Sequence, residues 1–167
     1  MNTIDNFRCK SNNVNLDDYL HLYKYVRDNM EHPEWLGTFT REEIKSILAN
    51  GGKIWLYYDN DTLVCSMFYI PASNKSLLKH NITSDEKITA SLGPVMISPE
   101  YIGNGYQNQM MHLFEDYCRT LNQKYIFTKV CKDNIYSINN VIKNNYKVVD
   151  EYESERGINL AFLKEIK

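Results

Sequence analysis

The chain has 167 residues, a length that favours one domain with one hydrophobic core. Its hydrophobic fraction of 43% and charged fraction of 24% are ordinary for a folded protein, and they exclude extensive disorder. The formal net charge is −2 and the basic residues are scattered, which argues against a nucleic-acid-binding protein, because such proteins carry a basic stripe that faces the phosphates.

Two helices are predicted in the first third of the chain, after a short strand at residues 7–9. Apolar side chains recur at the helical spacing over residues 16–30, and an Asn directly before them is a suitable N-cap. Thr40 and Glu43 form the capping-box pattern at the start of the second helix. The Asn-Gly-Gly sequence at residues 50–52 ends that helix.

The middle of the chain is predicted to form a hairpin, a loop and a broken strand. Residues 53–58 and 63–70 are the two strands of the hairpin, and an Asp-Asn-Asp sequence supplies the turn between them. Residues 72–87 are polar and weakly patterned, so a loop with one helical turn is expected. Residues 88–97 form the next strand, with an irregularity at Gly93-Pro94, because Pro lacks a donor and Gly weakens pairing.

The last third of the chain is predicted to alternate helices and strands before it ends in a hairpin. A long amphipathic helix begins at Tyr106, and a buried strand follows at residues 125–130. A short helix covers residues 135–144, and we expect it to turn Ile138, Val141 and Ile142 inward. Strands at residues 146–152 and 158–163 close the chain. The whole order predicts a mixed α/β or α+β fold in which residues 1–167 form a single domain with about four helices.

No metal site is expected. The four cysteines are far apart and never form Cys-x-x-Cys; they are Cys9, Cys65, Cys118 and Cys131. Cys65 and Cys118 are interpreted as small buried hydrophobic residues. His112 and Glu115 lie one helical turn apart, as some metal ligands do, but their neighbours take the inner face of the helix, so a solvated pair is expected.

The most informative segment is residues 95–107, in which an apolar strand runs into a glycine-containing turn and directly into an amphipathic helix. The first turn of a helix offers backbone N–H groups and a partial positive charge. Glycine lets the backbone approach a phosphate without an intervening Cβ. Gly103, Asn104 and Gly105 are therefore interpreted as an anion-binding cradle.

The sequence of this turn also allows other interpretations. A hairpin turn at Asn104-Gly105 is disfavoured because a helical pattern follows it. The sequence does not exclude a turn that only starts the helix and binds no ligand. A dinucleotide fingerprint requires glycine at the position of Asn108, and a P-loop requires Lys followed by Ser or Thr after the glycine.

On these residues the chain resembles the GCN5-related N-acetyltransferase (GNAT) superfamily, whose signature is a strand, Arg/Gln-x-x-Gly-x-Gly/Ala and a helix. The motif starts here at Ile102, which stands at the Arg/Gln position, and Gln107 stands at the final Gly/Ala position. Downstream, Asn134 and Ser137 resemble the family's Asn-x-x-Ala signature, and Tyr146 replaces the Phe that follows it. The resemblance covers nearly the whole chain and is strongest over residues 88–146.

The resemblance implies a mostly antiparallel sheet with a splayed central pair of strands and acetyl-CoA as the co-substrate. Pantetheine would insert at the splay like an added strand and bond to backbone groups of Val95 and Ile97. The residues that would bind the cofactor are Val95, Met96, Ile97, Ile102, Gly103, Asn104, Gly105, Tyr106, Gln107, Asn134 and Ser137.

The implied function is N-acetylation of a primary amine on a small molecule or a peptide, and the catalytic residues are not identified. Val141 stands where the family usually has a Tyr as general acid, and residues 90–92 lack the Glu that often serves as base. Tyr136, Cys131 and Ser91 are candidates to replace them. A degenerate member that binds coenzyme A without turnover is the alternative, and an unrelated nucleotide-binding module is a weaker third hypothesis.

The sequence also predicts a bacterial protein of the cytoplasm. Residues 1–6 lack a basic cap followed by an apolar run, so no signal peptide is expected. No apolar stretch approaches the roughly 20 residues that span a bilayer. We expect an amine acceptor as partner, and neither nucleic acid nor a membrane; the acceptor, the acyl chain length and formation of a homodimer stay open.

Overall fold

A computed structural model of the chain describes residues 3–167. Met1 and Asn2, which open the segment inspected for a signal peptide, lie outside the described residues. The chain divides into two compact units, and each takes two separate stretches of sequence. Unit 1 consists of the residues up to Ile70 together with Gly93–Phe114, and unit 2 consists of Pro71–Leu92 and Glu115–Lys167.

The described residues form five α-helices and eight β-strands. The helices are α1 Leu16–Asp28, α2 Arg41–Ala49, α3 Asn74–Lys79, α4 Tyr106–Thr120 and α5 Ile135–Lys143. The strands are β1 Arg8–Lys10, β2 Lys53–Asp59, β3 Thr62–Pro71, β4 Thr89–Leu92, β5 Met96–Ile97, β6 Tyr125–Cys131, β7 Lys147–Ser154 and β8 Gly157–Glu165. Pairing is mostly antiparallel, so the predicted mixed fold is confirmed.

Unit 1 is built on an antiparallel array in which β1 pairs with β2, β2 with β3, and β3 with β5. One face of these strands is apolar and packs under α1 and α2. Tyr19 of α1 is fully buried there and meets Phe68 of β3 edge to face, with ring centroids 6.0 Å apart. Such burial of large side chains is the main stabilising contribution in a domain of this size.

Helices α1 and α2 begin and end where the sequence predicts. Asn15 accepts hydrogen bonds from the backbone of the first turn of α1. The capping box of α2 is present, because Thr40 Oγ1 accepts from Glu43 N at 3.1 Å and Glu43 Oε2 accepts from Thr40 N at 2.8 Å. Helix α2 ends in a left-handed Gly51 with φ of 98°, and Gly52 N donates to Ile47 O at 2.8 Å.

Gly52→Ala is expected to destabilise the protein by about 1–3 kcal/mol. A Cβ atom at Gly52 would lie 2.7 Å from the carbonyl oxygen of Ile47 and 2.5 Å from its Cγ2. A backbone oxygen cannot move away without breaking the end of α2, so the strain is retained. Urea denaturation of the variant would measure the loss, and an unchanged midpoint would contradict it.

Unit 2 contains β4, β6, β8 and β7, paired in that order. β4 and β6 are parallel, whereas β6–β8 and β8–β7 are antiparallel. A second apolar cluster forms on one face of these strands around Phe127 and Ala161. Helix α5 was predicted to turn Ile138, Val141 and Ile142 inward. Val141 is buried and Ile138 is half-buried, but Ile142 is mostly exposed. A helix of nine residues is too short for a broad apolar stripe, so only part of its predicted inner face packs.

Residues 72–87 are more ordered than the sequence predicts, since they contain α3 and a buried histidine. Ser73 caps α3, and Leu77 of that helix joins the apolar cluster of unit 2. His80, only 2% exposed, lies with Nδ1 2.9 Å from Asp150 Oδ2 and with its ring 4.4 Å from that of Tyr152. The contact between His80 and Asp150 holds this segment against β7. Helix α3 brings the number of described helices to five, above the four that were predicted.

No helix in the described part of the chain is both long and apolar enough to cross a membrane.

Candidate functional site

The strand predicted over residues 88–97 is interrupted, as the Gly93-Pro94 sequence indicates. β4 ends at Leu92 and β5 begins at Met96. The parallel pairing of β4 with β6 stops at Ser91 and Phe127, although β6 continues to Cys131. Gly93 donates to Phe68 O at 2.8 Å, and a Cβ atom there would lie 3.0 Å from that oxygen. Only glycine fits this approach without displacement.

Strand β5 pairs with β3 along one of its two edges. Ser98 N, directly after β5, donates to Val64 O at 2.7 Å. In an antiparallel pair, consecutive residues turn their N–H and C=O groups alternately toward the partner strand and away from it. Ile97 therefore directs its backbone groups to the edge that β3 does not use, as the predicted bonding to an inserted strand requires. Val95 lies in the break just before β5.

The glycine turn has the geometry expected of an anion cradle. Gly103 and Gly105 both adopt left-handed conformations, with φ of 90° and 79°. The side-chain amide of Asn104 closes the turn by donating to Tyr101 O at 2.9 Å. Helix α4 starts at once, at Tyr106. The two glycines therefore lie at the N-terminal end of a helix of 15 residues, where the helix dipole is positive.

Space is available at both glycines. Apart from chain neighbours, a Cβ atom at Gly103 would have no described atom within 4 Å, and one at Gly105 would meet Gln109 Nε2 at 3.9 Å. Ile102, at the start of the motif, is mostly exposed. Residues 95–107 contain no Lys or Arg, so a phosphate bound here would be held by backbone amides and by the helix dipole. A side chain at Gly103 would occupy the space that a phosphate needs.

Two of the predicted cofactor-binding residues turn their side chains inward. Met96 is 1% exposed and belongs to the core of unit 1. Tyr106 is also buried, and its ring lies 5.1 Å from that of Phe7. Burial raises the pKa of Tyr106, which keeps the hydroxyl neutral. Only the backbone of these two residues is available to a ligand. Gln107 is half-buried at the start of α4.

In unit 2, Asn134 and Ser137 bond to each other. Asn134 is the N-cap of α5, and its Oδ1 accepts from Ser137 N at 3.2 Å. Its Nδ2 donates to Ser137 Oγ at 3.1 Å. The pair therefore has a structural role at the start of α5, and its predicted contact with the cofactor stays a prediction.

The burial and contacts of the candidate acid and base residues do not identify any of them as catalytic. Val141 is apolar and buried, so the usual position of the general acid cannot act. Tyr136 is strongly exposed, and Ser91 is half-buried. Cys131 is buried with its Sγ 3.3 Å from Asn159 Oδ1. No catalytic role is assigned to any of them.

Carboxylates that the sequence analysis did not single out brace the segment before the glycines. Tyr101 donates to Asp59 Oδ2 at 3.0 Å, and this bond raises the pKa of Tyr101. Glu100 accepts from Ser98 Oγ at 2.8 Å and from the hydroxyl of Tyr25, and the bond from Tyr25 lowers the pKa of Glu100 most. Tyr25 and Asp59 are remote in sequence from this segment, so no local pattern could have revealed their bonds to it.

The cysteines are expected to react with thiol reagents at one position. Burial raises the pKa of Cys65 and of Cys118 to about 12, so at pH 8 roughly one of these thiols in ten thousand is the reactive thiolate. Cys131 is buried too, whereas Cys9 is exposed. Partial burial also raises the pKa of the Cys9 thiol, so its labelling is fast relative to that of the three buried cysteines. Labelling of the folded protein should therefore give one fast site that disappears in Cys9→Ser. Fast labelling of that variant would contradict the expectation.

The described residues contain no group of three or more His, Cys, Asp or Glu side chains arranged to hold a metal ion. The prediction of a solvated pair is right for His112, which is exposed, and wrong for Glu115, whose side chain is only 15% exposed. Glu115 Oε2 lies 2.5 Å from Lys164 Nζ, and Glu115 Oε1 lies 2.5 Å from an Arg119 nitrogen. The Glu115 carboxylate thus contacts Lys164 of β8, a side chain with little access to water.

Comparison with known proteins gives a family match over most of the chain. The family described as acetyltransferase (GNAT) matches residues 18–140. No curated protein sequence matches the chain.

Solved structures resemble the fold over nearly its full length. A probable acetyltransferase from Staphylococcus epidermidis superposes with a TM-score of 0.74 at 14% identity, covering 96% of this chain and 99% of that one. The ribosomal-protein-S18-alanine N-acetyltransferase from Escherichia coli gives 0.68 at 10% identity, covering 95% and 94%. A chain of the NatC complex bound to Gag peptide and CoA gives 0.70 at 8% identity, covering 96% and 99%. At these identities the likeness shows the fold alone.

Proposed function

The chain belongs to the acetyltransferase (GNAT) family, and on that premise we propose that it transfers an acetyl group from acetyl-CoA to a primary amine of a small molecule or a peptide. The observation that carries the proposal is the turn from Gly103 to Gly105, which presents bare backbone to open space at the start of α4. This arrangement suits the pyrophosphate of coenzyme A.

In the proposed complex, the chain binds the cofactor mainly through its backbone. The turn and the first amides of α4 hold the pyrophosphate, and Ile102, Asn104 and Gln107 flank it. The backbone of Ile97 extends toward the pantetheine amides from the edge of β5 that β3 leaves unused. Binding through backbone groups explains why the motif tolerates Ile102 and Gln107 at positions where the family usually has other residues.

Transfer then needs an amine without its proton, a stabilised oxyanion and a proton for the departing thiolate. A backbone N–H near Val95 and Ile97 would polarise the thioester carbonyl. Orientation of two bound reactants alone can supply a large part of the rate, so the absence of the usual Tyr does not prevent catalysis. Two of the structural relatives support an amine acceptor by name, since one is an alanine N-acetyltransferase and another is bound to a peptide and CoA.

The second candidate is a degenerate member that binds coenzyme A without turnover. The buried Val141 favours it, because no proton donor stands at the usual position of the acid. The two candidates agree on the cofactor and differ only in turnover, so one preparation can distinguish them.

The test combines binding with turnover. Calorimetry would measure the affinity of the protein for acetyl-CoA and for ATP, with Gly105→Trp as the variant that fills the cradle. Consumption of the thioester would then be followed with a panel of primary amines and peptides. The assay uses Cys9→Ser protein so that the exposed thiol does not consume acetyl-CoA.

Binding of acetyl-CoA that is lost in Gly105→Trp, together with acetylation of an amine, is the expected result. Binding without turnover of any amine would favour the degenerate candidate. Equal affinity for ATP, or no affinity for acetyl-CoA, would refute the cofactor assignment.

A further inference from the structure

Unit 1 contains a cavity of about 580 Å³ that the proposed reaction does not use. Its walls come from α1, from the residues between and after β2 and β3, and from the segment that leads to the cradle. The residues that determine its chemistry are Asp18, Tyr25, Tyr58, Asp61, Glu100 and Tyr101. The volume lies in the range of ordinary small-molecule sites, roughly 300–1,000 Å³.

The walls combine carboxylates with aromatic rings. Tyr58 donates to Asp18 Oδ2 at 2.7 Å, and Tyr25 donates to Glu100. Each ionised carboxylate can accept about four hydrogen bonds, so these two retain acceptor capacity for a ligand. Asp61 adds a third carboxylate at an exposed position. Among the described lining residues there is no Lys or Arg, and His21 is the one basic side chain. Arg8 lies over the ring of Tyr58, 4.4 Å from its centroid, and offsets part of the charge of the three carboxylates.

The chemistry of the lining selects among ligands. An anion would be repelled by three carboxylates. A divalent metal ion requires several oxygen ligands converging on one point, and the described residues offer no such group. An organic ammonium ion fits better, because its N–H groups can bond to separated carboxylates while its carbon atoms contact tyrosine rings. We propose that this cavity binds an organic ammonium ion with more than one amino group.

The ionisation of the lining agrees with this ligand. The hydrogen bond from Tyr25 keeps the pKa of Glu100 below its usual range, so that carboxylate stays charged at neutral pH. Burial, with the bond to Asp18, raises the pKa of Tyr58 to about 12, so that hydroxyl stays a donor. Glu100 therefore offers a negative charge, and Tyr58 a neutral hydroxyl, to a ligand at neutral pH.

The cavity is connected to the cradle through the chain. Glu100 and Tyr101 line it, and Tyr101 O accepts the hydrogen bond from Asn104 that closes the glycine turn. A cation beside Glu100 would offset a carboxylate that stands three residues before Gly103 and repels a bound phosphate. The amine should therefore strengthen binding of acetyl-CoA, and acetyl-CoA should strengthen binding of the amine. This coupling, unlike amine binding itself, rests on the proposed function.

Amine binding is tested without coenzyme A. Calorimetry would titrate the protein with 1,4-diaminobutane and with 1,4-butanediol, its uncharged counterpart. Asp61→Asn removes one carboxylate from the cavity and should weaken diamine binding about tenfold. Asp28→Asn is the matched control, because Asp28 lies on α1 and bonds to Lys24 but does not line the cavity.

Diamine binding that exceeds diol binding and is weakened in Asp61→Asn but not in Asp28→Asn would support the proposal. Equal binding of the diol, an unaffected Asp61→Asn protein or binding of Mg²⁺ alone would overturn it. A urea titration of each variant separates loss of the site from loss of the fold; if Asp61→Asn is unfolded, Glu100→Gln is judged by the same criteria.

The coupling is tested by measuring acetyl-CoA affinity with saturating diamine. We expect affinity to rise about fivefold in the native protein and to rise less in Asp61→Asn when both are measured at a diamine concentration that just saturates the native protein. Unchanged affinity in the native protein would overturn the coupling. Failure of acetyl-CoA to bind at all would refute the proposed function and leave the result for the amine standing.

Discussion

Gly103→Ala is expected to weaken acetyl-CoA binding at least about tenfold while costing only about 1 kcal/mol of stability. The stability loss is small because the new Cβ meets no described atom within 4 Å and suffers only from the left-handed backbone. The affinity loss is large because that open space is where the phosphate would lie. Calorimetry and urea denaturation of the same preparation would measure both effects.

Gly157→Ala is the matched control. Gly157 has φ of 102°, and a Cβ atom there also has no described atom within 4 Å beyond its chain neighbours. The backbone strain is therefore the same, but Gly157 begins β8 and is not part of the cradle. We expect equal stability losses in the two variants and weakened binding only in Gly103→Ala. Equal affinities in the two would mean that the turn is structural and that the cofactor binds elsewhere.

Glu115→Ala is expected to destabilise the protein by about 3 kcal/mol or more. Lys164 is only 13% exposed at its side chain and lies 2.5 Å from the Glu115 carboxylate, which is 15% exposed. Removing Glu115 leaves a cation with little access to water, beside the ring of Tyr146 at 5.8 Å. Urea denaturation would report the change in the free energy of unfolding.

Two further variants test whether burial is the cause. Asp116→Asn removes an exposed partner of Arg119, and we expect it to cost less than about 1 kcal/mol. The double variant Glu115→Leu with Lys164→Met removes both largely water-excluded charges, and it should recover most of the stability lost in Glu115→Ala. A double variant as unstable as Glu115→Ala would show that packing, rather than the unpaired cation, causes the loss.

The features that were predictable from the sequence are those decided by near neighbours. The spacing of apolar residues located α1 and α4, and Thr40 with Glu43 located the start of α2, because caps and helical faces involve residues within four positions. The Gly93-Pro94 sequence predicted the break between β4 and β5 for the same reason. Pro has no backbone N–H and Gly has no side chain, and each weakens strand pairing at its own position.

The features that were missed depend on partners far along the chain. Nothing near His80 shows that Asp150 will bond to it, so residues 72–87 read as a loop. The partner of Glu115 lies at Lys164, and a helical neighbour pattern could not reveal it. Tertiary contacts of this kind override local propensity.

In the candidate site, too, the features set by neighbouring residues were predictable and those set by distant residues were not. The glycine turn was predictable, because a strand, two glycines and an amphipathic helix are contiguous in sequence. The bonds that Tyr25 and Asp59 make to the segment before the turn were not predictable, since both residues come from elements much earlier in the chain. The spacing of Asn134 and Ser137 only suggests a helix cap. The hydrogen bond from Ser137 N to the Asn134 side chain in the structure shows that Asn134 caps α5.

The division of the chain into interleaved stretches has a consequence for its synthesis. A nascent chain that ends at Leu92 contains the first stretch of each unit and the whole of neither. Unit 1 is complete only after Phe114 has been made, and unit 2 only after β8. Domains generally fold as units while a ribosome releases them, from the N-terminus onward. Here that order gives little advantage, and neither unit can be produced as one continuous fragment of the sequence.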